Sequence, residues 1–226
     1  MRGKIIVIEG TDCSGKETQT NLLYKKLKED GVLCENFSFP AYNTATGKIV
    51  GGPYLGKKDI CEGYFEEGAS NVDPKVSSLY YAADRLYNIS KINEMIDSGI
   101  NVILDRYTYS NMAHQGGKID SESKRNDMYT WIEKLEFDFL ELPRCDIRIF
   151  LHMPTTIANK LKQNRQILDE HEMDVNHLIN AERAYQEIAS KYDFYKIECA
   201  LNDKIRTIED INDELYKYVK LNLTDL

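Results

Sequence analysis

The chain opens on an unbroken apolar run, Ile5-Ile6-Val7-Ile8. Consecutive β-branched residues with no polar residue between them predict a strand covered on both faces, as in a parallel sheet. Leu22, Leu23 and Leu27 then fall at helical spacing and predict a helix over about residues 16–30, with Gly31 as its stop. "CENFSF" (34–39) predicts a second strand, halted at Pro40. Residues 41–73 are glycine-rich and mixed, and predict no regular element. Leu79, Ala83, Leu86, Ile89, Ile92 and Ile96 recur every three or four residues and predict a long helix ending at Gly99. "NVILDR" (101–106) predicts a third strand, residues 121–142 a helix, and "DIRIFLHM" (146–153) a fourth strand, with Pro154 opening the next crossover. Helices bracket a polar segment, "KQNRQILDEHEMD" (162–174). "YKIEC" (195–199) predicts a fifth strand and residues 207–221 a closing helix. Strands alternating with helices give an α/β doubly wound parallel sheet. Neither an internal repeat nor a linker interrupts it.

Composition narrows the classes. A chain of 226 residues, 42% of them hydrophobic, makes one domain with a sizeable core. A net charge of −8 argues against a general nucleic-acid binder. The five cysteines (Cys13, Cys34, Cys61, Cys145, Cys199) are scattered and form no C-x-x-C pair, so neither a zinc site nor a disulfide framework is expected. With no leader-like segment, this fits a reduced, cytoplasmic protein. No apolar run approaches the ~20 residues that span a membrane, so no membrane partner is expected.

Chemistry enters between the first strand and helix. Gly10, Gly15 and Lys16 have the spacing of a phosphate-binding loop, in the strand–helix setting its mechanism needs. Backbone N–H groups of residues 12–17 would wrap phosphate oxygens at a helix N-terminus, and Lys16 would bridge the β- and γ-phosphates. The usual Ser or Thr after the lysine is replaced by Glu17, with Thr18 one place later. A carboxylate beside a triphosphate would either turn away from it, the favoured arrangement, or help hold Mg²⁺, directly or through water. Asp105 ends the third strand, where ligands of open α/β sheets bind. Taken alone, Asp105 and Arg106 could be a surface ion pair. Beside a phosphate loop, Asp105 would hold Mg²⁺ through water and Arg106 would neutralise phosphate charge.

"EGTDCSGKETQ", "FPAYNTATG", "YYAADR", "DRYTYSN" and "AHQGG", in that order, resemble the thymidylate kinase family over nearly the whole chain. The resemblance implies a kinase that moves the γ-phosphate of ATP to dTMP for dTTP synthesis. It also implies a P-loop fold of five parallel strands flanked by helices, a mobile lid and a homodimer. Residues 1–226 would form one kinase domain. Gly10, Thr11, Asp12, Cys13, Ser14, Gly15, Lys16, Glu17 and Thr18 would bind ATP, with Asp12 also touching the sugar or metal. Phe39 and Pro40 match a wall of the substrate site. Tyr42 falls where many members carry a phosphate-binding arginine and others a tyrosine. Tyr81 matches the aromatic that stacks on thymine and Arg85 the arginine that bonds its carbonyl. Arg106 matches the arginine between the two phosphate groups, and Asn111 and Gln115 match positions beside base and sugar. His114 stands where an aromatic often crowds the 2′ position. The segment at about residues 160–175 would be the lid. Because Cys13 and Ser14 give the loop no positive charge, Arg165 is expected to be the catalytic lid arginine, with Lys160 and Lys162 next in line. Other readings are a kinase for another nucleoside monophosphate or a deoxynucleoside, a GTPase (although N-K-x-D is missing), and a nucleotide-binding module inactivated by Glu17.

Overall fold

The computed structural model describes residues 2–162 and 175–224. The opening apolar run is strand β1 (Ile5–Gly10), and every one of its residues is buried. It occupies the middle of a five-stranded sheet, order β2-β3-β1-β4-β5, with β2 at Cys34–Ser38, β3 at Asn101–Asp105, β4 at Ile147–His152 and β5 at Tyr195–Glu198. All neighbouring pairs are parallel. Successive side chains of a strand face opposite sides. Ile5 and Val7 therefore join one core with Leu104, Ile92, Tyr129 and Ile188. Ile6 and Ile8 join a second core with Leu23, Leu27, Ile149, Ile197 and Leu215. A core on each face leaves no position for a polar residue, hence the unbroken run.

Helix α1 (Lys16–Glu29) follows the glycine loop. A short helix α2 (Ala45–Ile49) runs on into a π turn, Val50–Tyr54, giving structure to a stretch that the sequence pattern left unassigned. Helix α3 (Pro74–Asp97) begins earlier than its apolar repeat implied. Asp73 caps it, accepting the Lys75 and Val76 N–H groups, and Pro74 fills the first position. Next come α4 (Thr108–Gly117), which apolar spacing did not predict, and α5 (Glu122–Glu133), which continues as a second π turn, Lys134–Phe139. Helices α6 (Thr155–Lys162), α7 (Val175–Lys191) and α8 (Ile208–Thr224) complete the chain, with a small hairpin of β6 (Ala200–Leu201) and β7 (Lys204–Ile205) before α8.

One expectation is reversed. Ile89, Ile92 and Ile96 of α3 are buried as predicted, but Leu79 and Leu86 are 51% and 44% exposed. In the first half of α3 the inward positions go to Ser77, Ser78, Asp84 and Arg85. The apolar repeat there faces outward because the inward face serves a polar site. That site lies at the carboxyl ends of the strands, where Gly10, Asp105 and His152 finish β1, β3 and β4 along one edge of the sheet.

Candidate active site

The loop between β1 and α1 is built by close approach. A Cβ on Gly10 would meet Ser14 Oγ at 2.6 Å and the Leu151 carbonyl at 2.7 Å. Thr11 Oγ1 donates to the Met153 carbonyl (2.7 Å) and accepts the Met153 N–H (2.8 Å), tying the loop to the end of β4. Cys13 and Gly15 adopt φ of 58° and 75°. Gly15 offers α1 no side-chain cap, so the first N–H groups of the helix are available to an anion. The Lys16 ammonium is buried and donates to the Gly10 (2.8 Å) and Thr11 (3.0 Å) carbonyls. Burial, reinforced by the Arg106 charge, lowers its pKa to about 8 against the pull of Asp12 and Asp105. A phosphate in the loop would reverse that shift. Glu17 and Thr18 are exposed, and Glu17 lies on the rim of this cleft, making no side-chain hydrogen bond or ion pair among the described residues.

Where β3 ends, Arg106 takes a φ of 68° and its N–H donates to the Ile8 carbonyl. This turn sends the chain into α4, whose own residues supply no cap. Buried Glu9, reaching across from β1, caps it instead, accepting from the N–H groups of Tyr107 (2.8 Å) and Ser110 (3.0 Å) and from Ser110 Oγ (2.5 Å). Burial raises the Glu9 pKa even so. Arg106 Nη1 reaches Tyr185 Oη (3.3 Å), Ser110 Oγ (3.4 Å) and His114 Nε2 (3.4 Å), while Nη2 is 3.9 Å from Asp12 Oδ1. Burial works against its charge, but Tyr185, Asp12, Asp105 and Glu9 outweigh burial and raise its pKa. The guanidinium is held charged at the centre of the site.

Asp105 is buried, which raises its pKa, and Lys16 and Arg106 only partly offset this. Its Oδ1 has no hydrogen-bond partner. Among the described residues no three acidic, histidine or cysteine side chains converge as a metal cage. Mg²⁺ keeps several waters and needs only one or two protein carboxylates beside its phosphate ligands. The orphaned Asp105 oxygen, with Asp12 on the same cleft, fits an ion of that kind.

A second cleft adjoins the loop. Phe39, Pro40, Tyr81, Arg85, Asn111 and His114 line it, with Leu55 and Leu178 as apolar walls. Asp84 holds the Phe39–Pro40 wall in place, accepting the Ala41 N–H (2.8 Å) and the Thr46 hydroxyl (2.8 Å). Buried Arg85 is gripped by a fully buried carboxylate: its Nε and Nη2 donate to Glu136 Oε2 and Oε1, both at 2.5 Å. Thr108 Oγ1 (2.8 Å) and Asn111 Nδ2 (2.9 Å) donate to the same carboxylate. Arg85 Nη1 remains for the cleft, and Asn111 Oδ1 is buried without a partner. Residues with a spare donor and a spare acceptor thus line the cleft together with the aromatic Tyr81, which suits a planar ring with a carbonyl next to an N–H.

Most of the expected residues meet here. Asp12, Phe39, Pro40, Tyr42 and Arg106 line both clefts. Gln115 does not join them: it is fully buried off the cleft wall, with neither polar side-chain atom bonded. Arg165 and most of the expected lid lie outside the described residues, and Lys160 is exposed on α6. Spacing singled out none of Glu9, Lys57, Asp84 and Glu136. Glu9 did leave a signal, a carboxylate ending an otherwise apolar buried strand.

Comparisons with known proteins agree with this geometry. A family model described as thymidylate kinase matches residues 8–211. A thymidylate kinase of Schizosaccharomyces pombe is 30% identical over 220 residues, covering 96% of this chain and 92% of its own length. One from Plasmodium falciparum is 28% identical over 220 residues, covering 96% and 90%. The solved thymidylate kinase of Candida albicans matches with a TM-score of 0.72 at 24% identity, over 98% of this chain and 92% of that one, a likeness of fold.

Proposed function

The chain belongs to the thymidylate kinase family, and from that premise we propose that it transfers the γ-phosphate of ATP to dTMP, giving dTDP. The observation that carries this reading is the continuity of the two clefts, which share Asp12, Phe39, Pro40, Tyr42 and Arg106. A nucleotide with its base in the second cleft would bring its 5′-phosphate to the junction, next to a triphosphate in the loop.

Tyr81 would stack on the base, which any base allows. Selection would come from Arg85 Nη1 donating to a carbonyl and Asn111 Oδ1 accepting the neighbouring imide N–H. Thymine offers that pair, whereas cytosine and adenine present an amine and a bare ring nitrogen. A wrong base would leave buried polar groups unpaired, at about 1–3 kcal/mol each. The acceptor phosphate is largely dianionic near neutral pH, so no general base is needed. One of its oxygens bonds to the γ-phosphorus as the bond to the β,γ-bridging oxygen breaks and ADP leaves. Lys16 would bridge the β- and γ-phosphates, and Arg106 would neutralise the charge between donor and acceptor. Asp105 and Asp12 would hold Mg²⁺ through water, and the bound ion would supply positive charge at the phosphates. Arg165, in a lid at about residues 160–175, would bring a further cation.

Two wider features belong to the same reading. A homodimer is supported by the outward apolar stripe of α3. A cytoplasmic location is supported by five scattered cysteines with no C-x-x-C pair, and no described helix is long and apolar enough to cross a membrane. The test is a coupled assay of ADP release from ATP with dTMP, dUMP, dCMP and AMP as acceptors. dTMP is expected to be used best, with dUMP behind it by about tenfold for its missing methyl. Faster turnover of dCMP or AMP would overturn the reading.

A further inference from the structure

We infer that Lys57 is the cation that receives the 5′-phosphate of the acceptor nucleotide, an inference that rests on dTMP being the acceptor. Lys57 lies in the stretch with no legible pattern. The fold brings it to the phosphate cleft, where it lines the wall with Lys16, Asp105 and Arg106.

Its position is built by the backbone on both sides. The Lys57 N–H donates to the Gly51 carbonyl (2.8 Å), and its own carbonyl accepts the N–H groups of Ile60 (2.8 Å) and Cys61 (3.1 Å). Gly51 and Gly52 allow this closeness. A Cβ on Gly51 would meet Ile60 Cδ1 at 2.5 Å and Tyr42 Cδ1 at 2.8 Å, and one on Gly52 would meet Cys61 Sγ at 2.5 Å. The side chain is directed too, with Nζ 4.9 Å over the centre of the Tyr42 ring. The negative face of an aromatic ring holds an ammonium without neutralising it. No carboxylate lies within ion-pair distance of Lys57 among the described residues.

Charge balance shows what this ammonium does. The same cleft carries the carboxylates of Asp12, Glu17 and Asp105 against the cations Lys16 and Arg106. Counting the described residues alone, the side chains of this cleft would be net negative without Lys57 before either substrate arrived, and both substrates are anions. Position then selects which phosphate it serves. Lys16 sits in the loop that holds the donor, whereas Tyr42, on which Lys57 rests, belongs to the junction shared with the base pocket. The ammonium is therefore placed for the phosphate that enters from the base pocket.

The test compares wild type, Lys57→Met and Lys57→Arg. It measures KM for dTMP and ATP in the coupled assay, and calorimetric affinity for dTMP and for thymidine, which fills the base pocket without a phosphate. Lys57→Met should raise KM for dTMP about 10- to 100-fold, the loss of one bond to a charged phosphate. KM for ATP and affinity for thymidine should stay close to wild type, and Lys57→Arg should restore most of the dTMP affinity. An unchanged dTMP KM would overturn the inference, as would a rise confined to ATP. An equal loss of thymidine affinity would make Lys57 a structural support of the pocket and overturn it as well. Each of these results leaves the kinase reading standing. A wild-type enzyme without dTMP turnover would overturn that reading and the inference together.

Discussion

Glu136 shows what a single residue contributes without announcing itself. In "KLEFDF" it is one acid among alternating charges, and nothing in the spacing marks it as buried. In the fold it is fully buried and takes bonds from Arg85, Thr108 and Asn111. By occupying two nitrogens of Arg85 it fixes which one faces the cleft. Glu136→Gln keeps the shape but removes the charge and one acceptor, so KM for dTMP should rise about tenfold or more and the preference for dTMP over dCMP should narrow. Glu136→Ala leaves a buried guanidinium unpaired and should cost about 3–5 kcal/mol of stability by urea unfolding. Wild-type selectivity in Glu136→Gln would remove Glu136 from base reading. Gly10, Gly15 and Lys16 were legible because a phosphate loop is recognised by backbone spacing, which sequence preserves. Glu136 was not, because its role depends on three partners 51, 28 and 25 residues away along the chain.

At the scale of elements, legibility follows burial pattern. Strand β1 and the second half of α3 present their apolar residues to a core and were foreseen. Helix α4 was not, since nine of its ten residues are buried and no polar stripe is left to give it a period. Its glycines, which argue for a loop in sequence, serve packing: a Cβ on Gly116 would lie 2.2 Å from Tyr129 Cε1, and one on Gly117 3.1 Å from Ala181 N. The helices beside the proposed lid have a similar hidden anchor. His152, ending β4, places Nε2 2.8 Å from Glu182 of α7 and Nδ1 2.6 Å from Glu198 of β5, and Glu182 also accepts the Thr155 N–H at the start of α6. Only a doubly protonated ring donates to both carboxylates. Burial opposes that charge, but the two carboxylates outweigh it and raise the His152 pKa; burial also works against the carboxylates, yet bonds from His152 and Thr155 hold Glu182 low and bonds from Lys196 and His152 hold Glu198 low. The histidine's stabilisation is fully present below its ordinary value of 6.5 and is lost as pH rises through its raised value. That of the carboxylates is present above 4.5 and lost as pH falls through their lowered values. The cluster is thus most stabilising between these limits. Urea unfolding should show His152→Gln destabilising the protein more at about pH 6 than at about pH 9. An equal loss at both would mean that the ring acts by packing alone.

For the whole molecule, α3 has two opposed duties. Its inward face gives Tyr81 and Arg85 to the proposed base pocket and Asp84 to the wall beside it. Its outward face exposes Val76, Leu79, Leu86 and Tyr87 at 41%, 51%, 44% and 62%. These residues repeat at helical spacing, so the exposed side chains form a stripe along the helix. Exposed apolar patches of this kind mark sites of protein–protein contact. In the proposed homodimer a second copy of the chain would cover it, since a twofold interface joins the same patch on both subunits. Light scattering after size exclusion should give twice the 26.1 kDa chain mass for the wild type. Leu86→Glu puts two like charges near the axis of such an interface and should shift the protein to monomer. Because the base readers sit on the other side of the same helix, the monomer should also bind dTMP more weakly, while ATP, held by the loop between β1 and α1, should bind as before. A wild-type chain that is monomeric at assay concentration would refute the homodimer. A monomeric Leu86→Glu variant with unchanged dTMP affinity would show that α3 holds its base-reading face without a partner.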